Sequence, residues 1–121
     1  MSSGTEWLVE ASGCDPSRLK SRDTLAALFD SIVRDLGLKV VGVPAWHVFP
    51  DPGGITGVYL LAESHLTIHT FPEHGTACLN LFCCRPRPAW DFDAGLARHL
   101  GAADVIVRVV ERNFLPSIAA I

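Results

Sequence analysis

Between Ser21 and Gly37, Leu25, Leu28, Phe29, Ile32, Val33 and Leu36 recur at intervals of three and four residues, laying one apolar stripe along a helix. A one-sided helix has to bury its stripe, so this feature constrains the fold more than any other: the rest of the chain must supply an apolar surface to receive it. Ser21 suits the cap of the first turn and Gly37 the end of the last. The segments that follow read as that surface. "LKVVGVPAWHVF" and "ITGVYLLAE", separated by "PDPGG", are rich in β-branched and aromatic residues and too interrupted for helices. "SHLTIHTF" alternates, with His65, Thr67 and His69 on one face and Leu66 and Ile68 on the other, and "PEHG" turns the chain into a further strand, "TACLNLFC". A short first strand over "EWLVE" precedes the turn-like "SGCDPS". Beyond the proline-broken "RPRPAW", Asp91 and Asp93 open a second helix through Leu100, "ADVIVRVVER" reads as a last strand, and "NFLPSIAAI" is an apolar tail without an assignment. The expected architecture is α+β: a two-layer α/β sandwich, its sheet mostly antiparallel, with two main helices packed on one face.

With 121 residues, about half of them hydrophobic, the chain suffices for one core, and residues 1–121 read as a single domain. The 10 basic and 13 acidic residues are interspersed, so no basic stripe offers itself to phosphates and nucleic acid is not an expected partner. The opening "MSSGTEWLVEASG" lacks a basic segment followed by an apolar run, and no stretch approaches a membrane span, so the expected compartment is the cytoplasm. Cys14, Cys78, Cys83 and Cys84 are expected to be free thiols there.

The chemistry concentrates around "ESH". Glu63, Ser64, His65, Thr67, His69 and Thr70, followed by Glu73 and His74, are dense for a half-buried strand, although any one of them alone reads as a solvated polar face. A metal centre fits poorly. His65 and His69 share a face but stand roughly 13 Å apart at about 3.3 Å per residue, and no paired CxxC is present. A serine hydrolase fits no better, since "ESH" lacks the glycines of a nucleophile elbow and neighbouring side chains on a strand point to opposite faces.

The stretch "GGITGVYLLAESHLTIHTFPEHGTACLNLFCC", and within it "AESHLTIHTFPE", resembles the processing segment of the small prokaryotic S-adenosylmethionine decarboxylase proenzymes, which are pyruvoyl-dependent decarboxylases. The resemblance implies that Ser64 attacks the carbonyl of Glu63 and that the chain is cut there into a β chain, 1–63, and an α chain, 64–121. A covalently bound pyruvoyl group is then left on Ser64, with no pyridoxal phosphate. It implies that Thr56, where serine is usual, and His69 assist processing, and that the substrate amine joins the pyruvoyl ketone in a Schiff base. Cys84 would donate the proton after carbon dioxide leaves. Phe49, Phe71 and Glu73 match positions of the substrate pocket, with aromatic faces for adenine and sulfonium and a carboxylate for the ribose hydroxyls. The product would be the aminopropyl donor of spermidine and other polyamines, and the enzyme a homodimer, for which the tail "FLPSIAAI" suits burial against a partner.

Three departures bear on substrate. The first strand lacks the family's Gly-x-His opening, Asn80 stands where aspartate is usual, and Cys83, Cys84 and Arg85 replace a Thr-Cys-Gly run. The processing residues survive better than those of the pocket, so an L-ornithine or L-arginine decarboxylase on the same fold is the alternative, requiring an acidic group for the distal cation. A third possibility is a binding module that never cleaves. Phe49, Phe71 and Glu73 together favour S-adenosylmethionine.

Overall fold

The computed structural model describes residues 4–114. In chain order it contains β1 (Gly4–Ser12), α1 (Pro16–Leu19), α2 (Arg22–Leu36), β2 (Ala45–Val48), β3 (Ile55–Leu61), β4 (Ser64–Phe71), β5 (Thr76–Cys83), α3 (Phe92–Leu100) and β6 (Asp104–Arg112). The six strands form one sheet in the order β2-β3-β4-β5-β1-β6, with every pairing antiparallel. This is the α+β sandwich the sequence implied.

The helix limits follow from their caps. The Ser21 hydroxyl accepts from the Thr24 amide at the start of α2, and Gly37, in the left-handed conformation at φ 63°, ends it. Gly37 N–H bonds Arg34 C=O and Leu38 N–H bonds Val33 C=O, the paired bonds of a Schellman ending. α3 repeats the pattern, with Asp91 capping Ala94 N–H and Gly101 closing the last turn.

Strand alternation then divides the sheet. Trp7, Val9 and Ala11 of β1, Ile55, Tyr59 and Leu61 of β3, Leu66 and Ile68 of β4, and Ala77, Leu79, Leu81 and Cys83 of β5 are buried in one core with Leu25, Leu28, Phe29, Ile32 and Leu36 of α2 and Leu96 and Leu100 of α3. Thr70 is the polar member of the buried face of β4. Its hydroxyl donates to Leu19 C=O at 2.8 Å and accepts from Ile55 N–H at 2.9 Å, so the burial leaves no unpaired group there. Among the described residues the opposite face carries no helix, and it presents His65, Thr67, His69, Asn80 and Glu6 beside exposed Val58 and Leu60.

Three local expectations change. β1 reaches from Gly4 to Ser12, longer than "EWLVE", because it lies inside the sheet with ladder partners in both β5 and β6. The run from Leu38 to Phe49 keeps only Ala45–Val48 as strand and a single bridge from Val40 to Leu61, since Gly42 takes a positive φ of 72° and Pro44 cannot donate to a ladder. The "SGCDPS" turn contains one helical turn, capped by Asp15 and opened by Pro16. All but Phe114 of the tail "FLPSIAAI" lies outside the described residues.

Trp46 anchors the edge strand. Its ring lies 5.6 Å from Phe29 and 5.9 Å from Tyr59, directly over Gly57, its ladder partner. A Cβ at position 57 would sit 2.2 Å from that ring. Alanine ordinarily gains about 0.5–1 kcal/mol over glycine inside a strand, whereas overpacking costs about 1–3 kcal/mol. Gly57→Ala is therefore expected to destabilise by roughly 1–2 kcal/mol, read as a lower urea midpoint at unchanged slope; a raised midpoint would contradict the packing.

Candidate active site

β3 and β4 are joined by a two-residue turn, Ala62–Glu63, closed by the Leu61–Ser64 pair. The turn is tied down from both sides: Ala62 N–H donates to Lys39 C=O at 2.9 Å, and Glu63 C=O accepts from Cys84 N–H at 3.2 Å. Ser64 faces Cys83, its ladder partner in β5. Burial pushes the Cys83 thiol up, with the Ser64 hydroxyl and the charge of Arg87 partly opposing the shift. Cys84, half-buried, has left the strand beside Glu63. Arg85 Nε lies 2.5 Å from Glu63 Oε2; that oxygen is shielded from solvent, and the contact is an ion pair without the angles of a hydrogen bond. These groups surround a hollow of about 50 Å³ whose remaining polar rim is Lys39 and Arg87.

A second group lies elsewhere. Thr56 Oγ1 and His69 Nδ1 are 3.0 Å apart across the β3–β4 pairing. They line a cavity of about 420 Å³ with Phe49, Phe71, Glu73 and Asp51. The eight residues marked by sequence thus fall into two sets: Glu63, Ser64 and Cys84 at the hairpin corner, and Phe49, Thr56, His69, Phe71 and Glu73 in the pocket. Five steps of strand separate Ser64 from His69, roughly 16 Å at about 3.3 Å each, and the two side chains project from opposite faces. Within one chain they do not meet.

From His65, next to Ser64, a polar chain that sequence reading did not assemble runs across the sheet toward β6. His65 Nε2 is 2.8 Å from Asn80 Oδ1, Asn80 Nδ2 donates to Glu6 Oε2 at 2.7 Å, and Arg112 donates to Glu6 Oε1 at 2.6 Å. One of its members, Asn80, stands where the sequence departs from its resemblance; Glu6 lies in the first strand, which lacks the family's Gly-x-His opening, and the hydrogen bond between them brings the two together. Asp51 and the Lys39–Arg87 rim carried no signal in the sequence, because the loops containing them are placed by tertiary contacts. Among the described residues, no three His, Cys, Asp or Glu side chains converge as metal ligands, and no helix is long and apolar enough to cross a membrane.

An antiparallel sheet backed by helices on one face, with a serine set against thiols at a hairpin corner and an aromatic, acidic pocket on the open side, defines the class: an α+β sandwich whose reactive groups lie on the sheet itself. Residues 5–113 match the family model of S-adenosylmethionine decarboxylase. The chain belongs to the S-adenosylmethionine decarboxylase family. It is 32% identical over 119 residues, 98% of this chain and 93% of the relative, to the S-adenosylmethionine decarboxylase proenzyme of Clostridium kluyveri. It is also 39% identical over 83 residues to that of Shouchella clausii, a stretch spanning 69% of this chain and 63% of the relative. The crystal structure of the adenosylmethionine decarboxylase from Aquifex aeolicus superposes with a TM-score of 0.80 at 27% identity, covering 96% of this chain and 95% of that one.

The polar chain has a pH signature. Hydrogen bonds from Asn80 and then Arg112 hold the Glu6 carboxyl below its ordinary range, against the opposing effect of burial. A carboxyl lowered on folding adds stability that is present above its unfolded pKa, about 4.3, and lost as pH falls through the lower folded value. Glu6→Gln is expected to flatten that part of the acid limb in urea midpoints measured from about pH 6 to about pH 3; an unchanged limb would contradict it.

Proposed function

We propose that the chain is a self-processing, pyruvoyl-dependent decarboxylase acting on S-adenosylmethionine, cut between Glu63 and Ser64 into a β chain, 1–63, and an α chain, 64–121, of a single domain. The observation that carries the reading is the hydrogen bond from Cys84 N–H to the Glu63 carbonyl. When Ser64 Oγ adds to that carbonyl carbon, negative charge develops on the oxygen that already accepts this bond, the arrangement of an oxyanion donor. The Glu63–Ser64 amide bond then breaks to leave an ester and a free amine on residue 64. Elimination across the Cα–Cβ bond releases Glu63 with its new carboxylate, and water replaces the nitrogen as ammonia, leaving a ketone.

A pyruvoyl group supplies an electron-accepting carbonyl for decarboxylation. Around it, Cys84 is the proton donor of the reading, half-buried beside the corner. Lys39, Arg85 and Arg87 concentrate positive charge where the substrate carboxylate enters. Phe49 and Phe71 offer aromatic faces and Glu73 a carboxylate within one cavity, which suits adenine, sulfonium and ribose. The product is the aminopropyl donor of polyamine synthesis, made in the cytoplasm. An L-ornithine or L-arginine decarboxylase has one observation in its favour, Asp51 on the same cavity, an acidic group of the kind a distal cation needs.

The separation of Ser64 from Thr56 and His69 supports a homodimer in which each site takes Ser64 from one copy and the Thr56–His69 pair from the other. The sheet face opposite the described helices, with exposed Val58, Leu60 and Phe71, is the surface such a partner would cover.

Ser64→Ala is expected to give one uncleaved, inactive mass, and Cys84→Ala to cleave normally but lose roughly 10²-fold or more in kcat. Efficient turnover by the cleaved Cys84→Ala chain would remove it as the acid. Carbon dioxide release from S-adenosylmethionine, ornithine and arginine by the wild-type protein decides the substrate. Co-expressing Ser64→Ala with His69→Ala chains is expected to restore about a quarter of wild-type sites by random pairing; no restoration would refute sharing between copies.

A further inference from the structure

The chain Arg112–Glu6–Asn80–His65 crosses four adjacent strands, β6, β1, β5 and β4, and ends on the residue directly after Ser64. Its hydrogen-bond sense is determined from one end. Glu6, paired with Arg112, can only accept, so Asn80 must turn its amide nitrogen toward it. The Asn80 oxygen is then the atom left facing His65, and it too can only accept. His65 therefore carries its proton on Nε2. Its ring is further held by Phe82, with centroids 5.9 Å apart and planes tilted by 34°.

The position of this chain matters once the corner is cut. Before cleavage, Ser64 is held by the covalent turn through Ala62 and Glu63. Afterwards residue 64 is a free chain end, and the first side chain fastening that end to the sheet is His65. Asn80, His65 and Arg112 belong to the fragment 64–121, and Glu6 to the fragment 1–63, so the same bonds also join the two fragments. We infer that His65 is a positioning residue, locked as the Nε2–H tautomer by Asn80, Glu6 and Arg112, which keeps the reactive end of β4 beside Cys83 and Cys84 after self-cleavage. The inference depends on the reading of Glu63–Ser64 as the cleavage bond.

Two measurements test it. The first is a long-range 15N correlation spectrum of the imidazoles in the uncleaved Ser64→Ala chain, with His65 assigned by the signal lost in Ser64→Ala/His65→Gln. An Nε2–H tautomer is expected, and Nδ1–H would overturn the proposal. The second compares cleaved enzymes. Asn80→Ala is expected to cleave and carry the pyruvoyl mass, yet to lose about tenfold or more in kcat with KM little changed, as displacement of a reacting group does. Asn80→Asp sets two carboxylates against each other and should lose as much. In Glu6→Gln/Asn80→Asp the new amide at position 6 donates to the new carboxylate at position 80, which still accepts from His65, so kcat should recover. Wild-type kcat in cleaved Asn80→Ala, or no recovery in the double variant, would overturn the inference while leaving the decarboxylase reading intact. An uncleaved wild-type chain would instead refute that reading, and the spectrum would still decide the tautomer. Should Asn80→Ala fail to accumulate, the spectrum and the double variant decide.

Discussion

Everything at this site depends on the placement of β4 between β3 and β5 in a sheet that, among the described residues, is covered by helices on one face only. Because strand side chains alternate, that single placement sends Leu66, Ile68 and Thr70 into the core and His65, Thr67 and His69 onto the open face. It also sends Ser64, at the strand's first position, toward Cys83 and away from the histidines. A shift of one residue would bury the histidines and expose the core, so register and chemistry are specified by the same constraint. The apolar stripe of α2 supplies the energetic reason: it covers the aliphatic set and would not accept the polar one.

The corner at Ala62–Glu63 shows how an ordinary hairpin becomes chemically distinct. Its turn is held by Lys39 on one side and by Cys84 on the other, and the segment after β5 brings Arg85 onto the Glu63 carboxylate. The carbonyl of Glu63 thus faces a backbone donor while the hydroxyl of Ser64 faces a thiol. None of these groups is unusual by itself; what distinguishes them is that the ends of two neighbouring strands and one loop converge there.

The open face carries a second kind of organisation. Glu6 and Asn80 are unrelated positions when the sequence is read along the chain, one in a strand at the amino end and one beyond the middle. In the sheet they are hydrogen-bonded partners, with Arg112 behind one and His65 in front of the other. A lone change at either position would leave a carboxylate or an amide facing the wrong kind of group, so the two residues are best regarded as one feature.

The period of three to four in α2, the alternation of "SHLTIHTF" and the punctuation by glycine and proline were enough for the sequence to determine the helix, the central strands and the α+β class, because those signals arise from neighbouring residues. "AESHLTIHTFPE" likewise singled out Glu63, Ser64, His69, Phe71 and Glu73 as candidates. The failures were of a different kind. The full extent of β1, the loss of strand from Leu38 to Pro44 and the turn of helix at Pro16 depend on which partners the sheet provides. Strand alternation already implied that Ser64 and His69 stand on opposite faces; only the tertiary structure decided that Asp51 joins the aromatic pocket and that Glu6 reaches His65 through Asn80. Each of these joins residues distant in sequence, set by strand order and register, and local patterning carries no information about either.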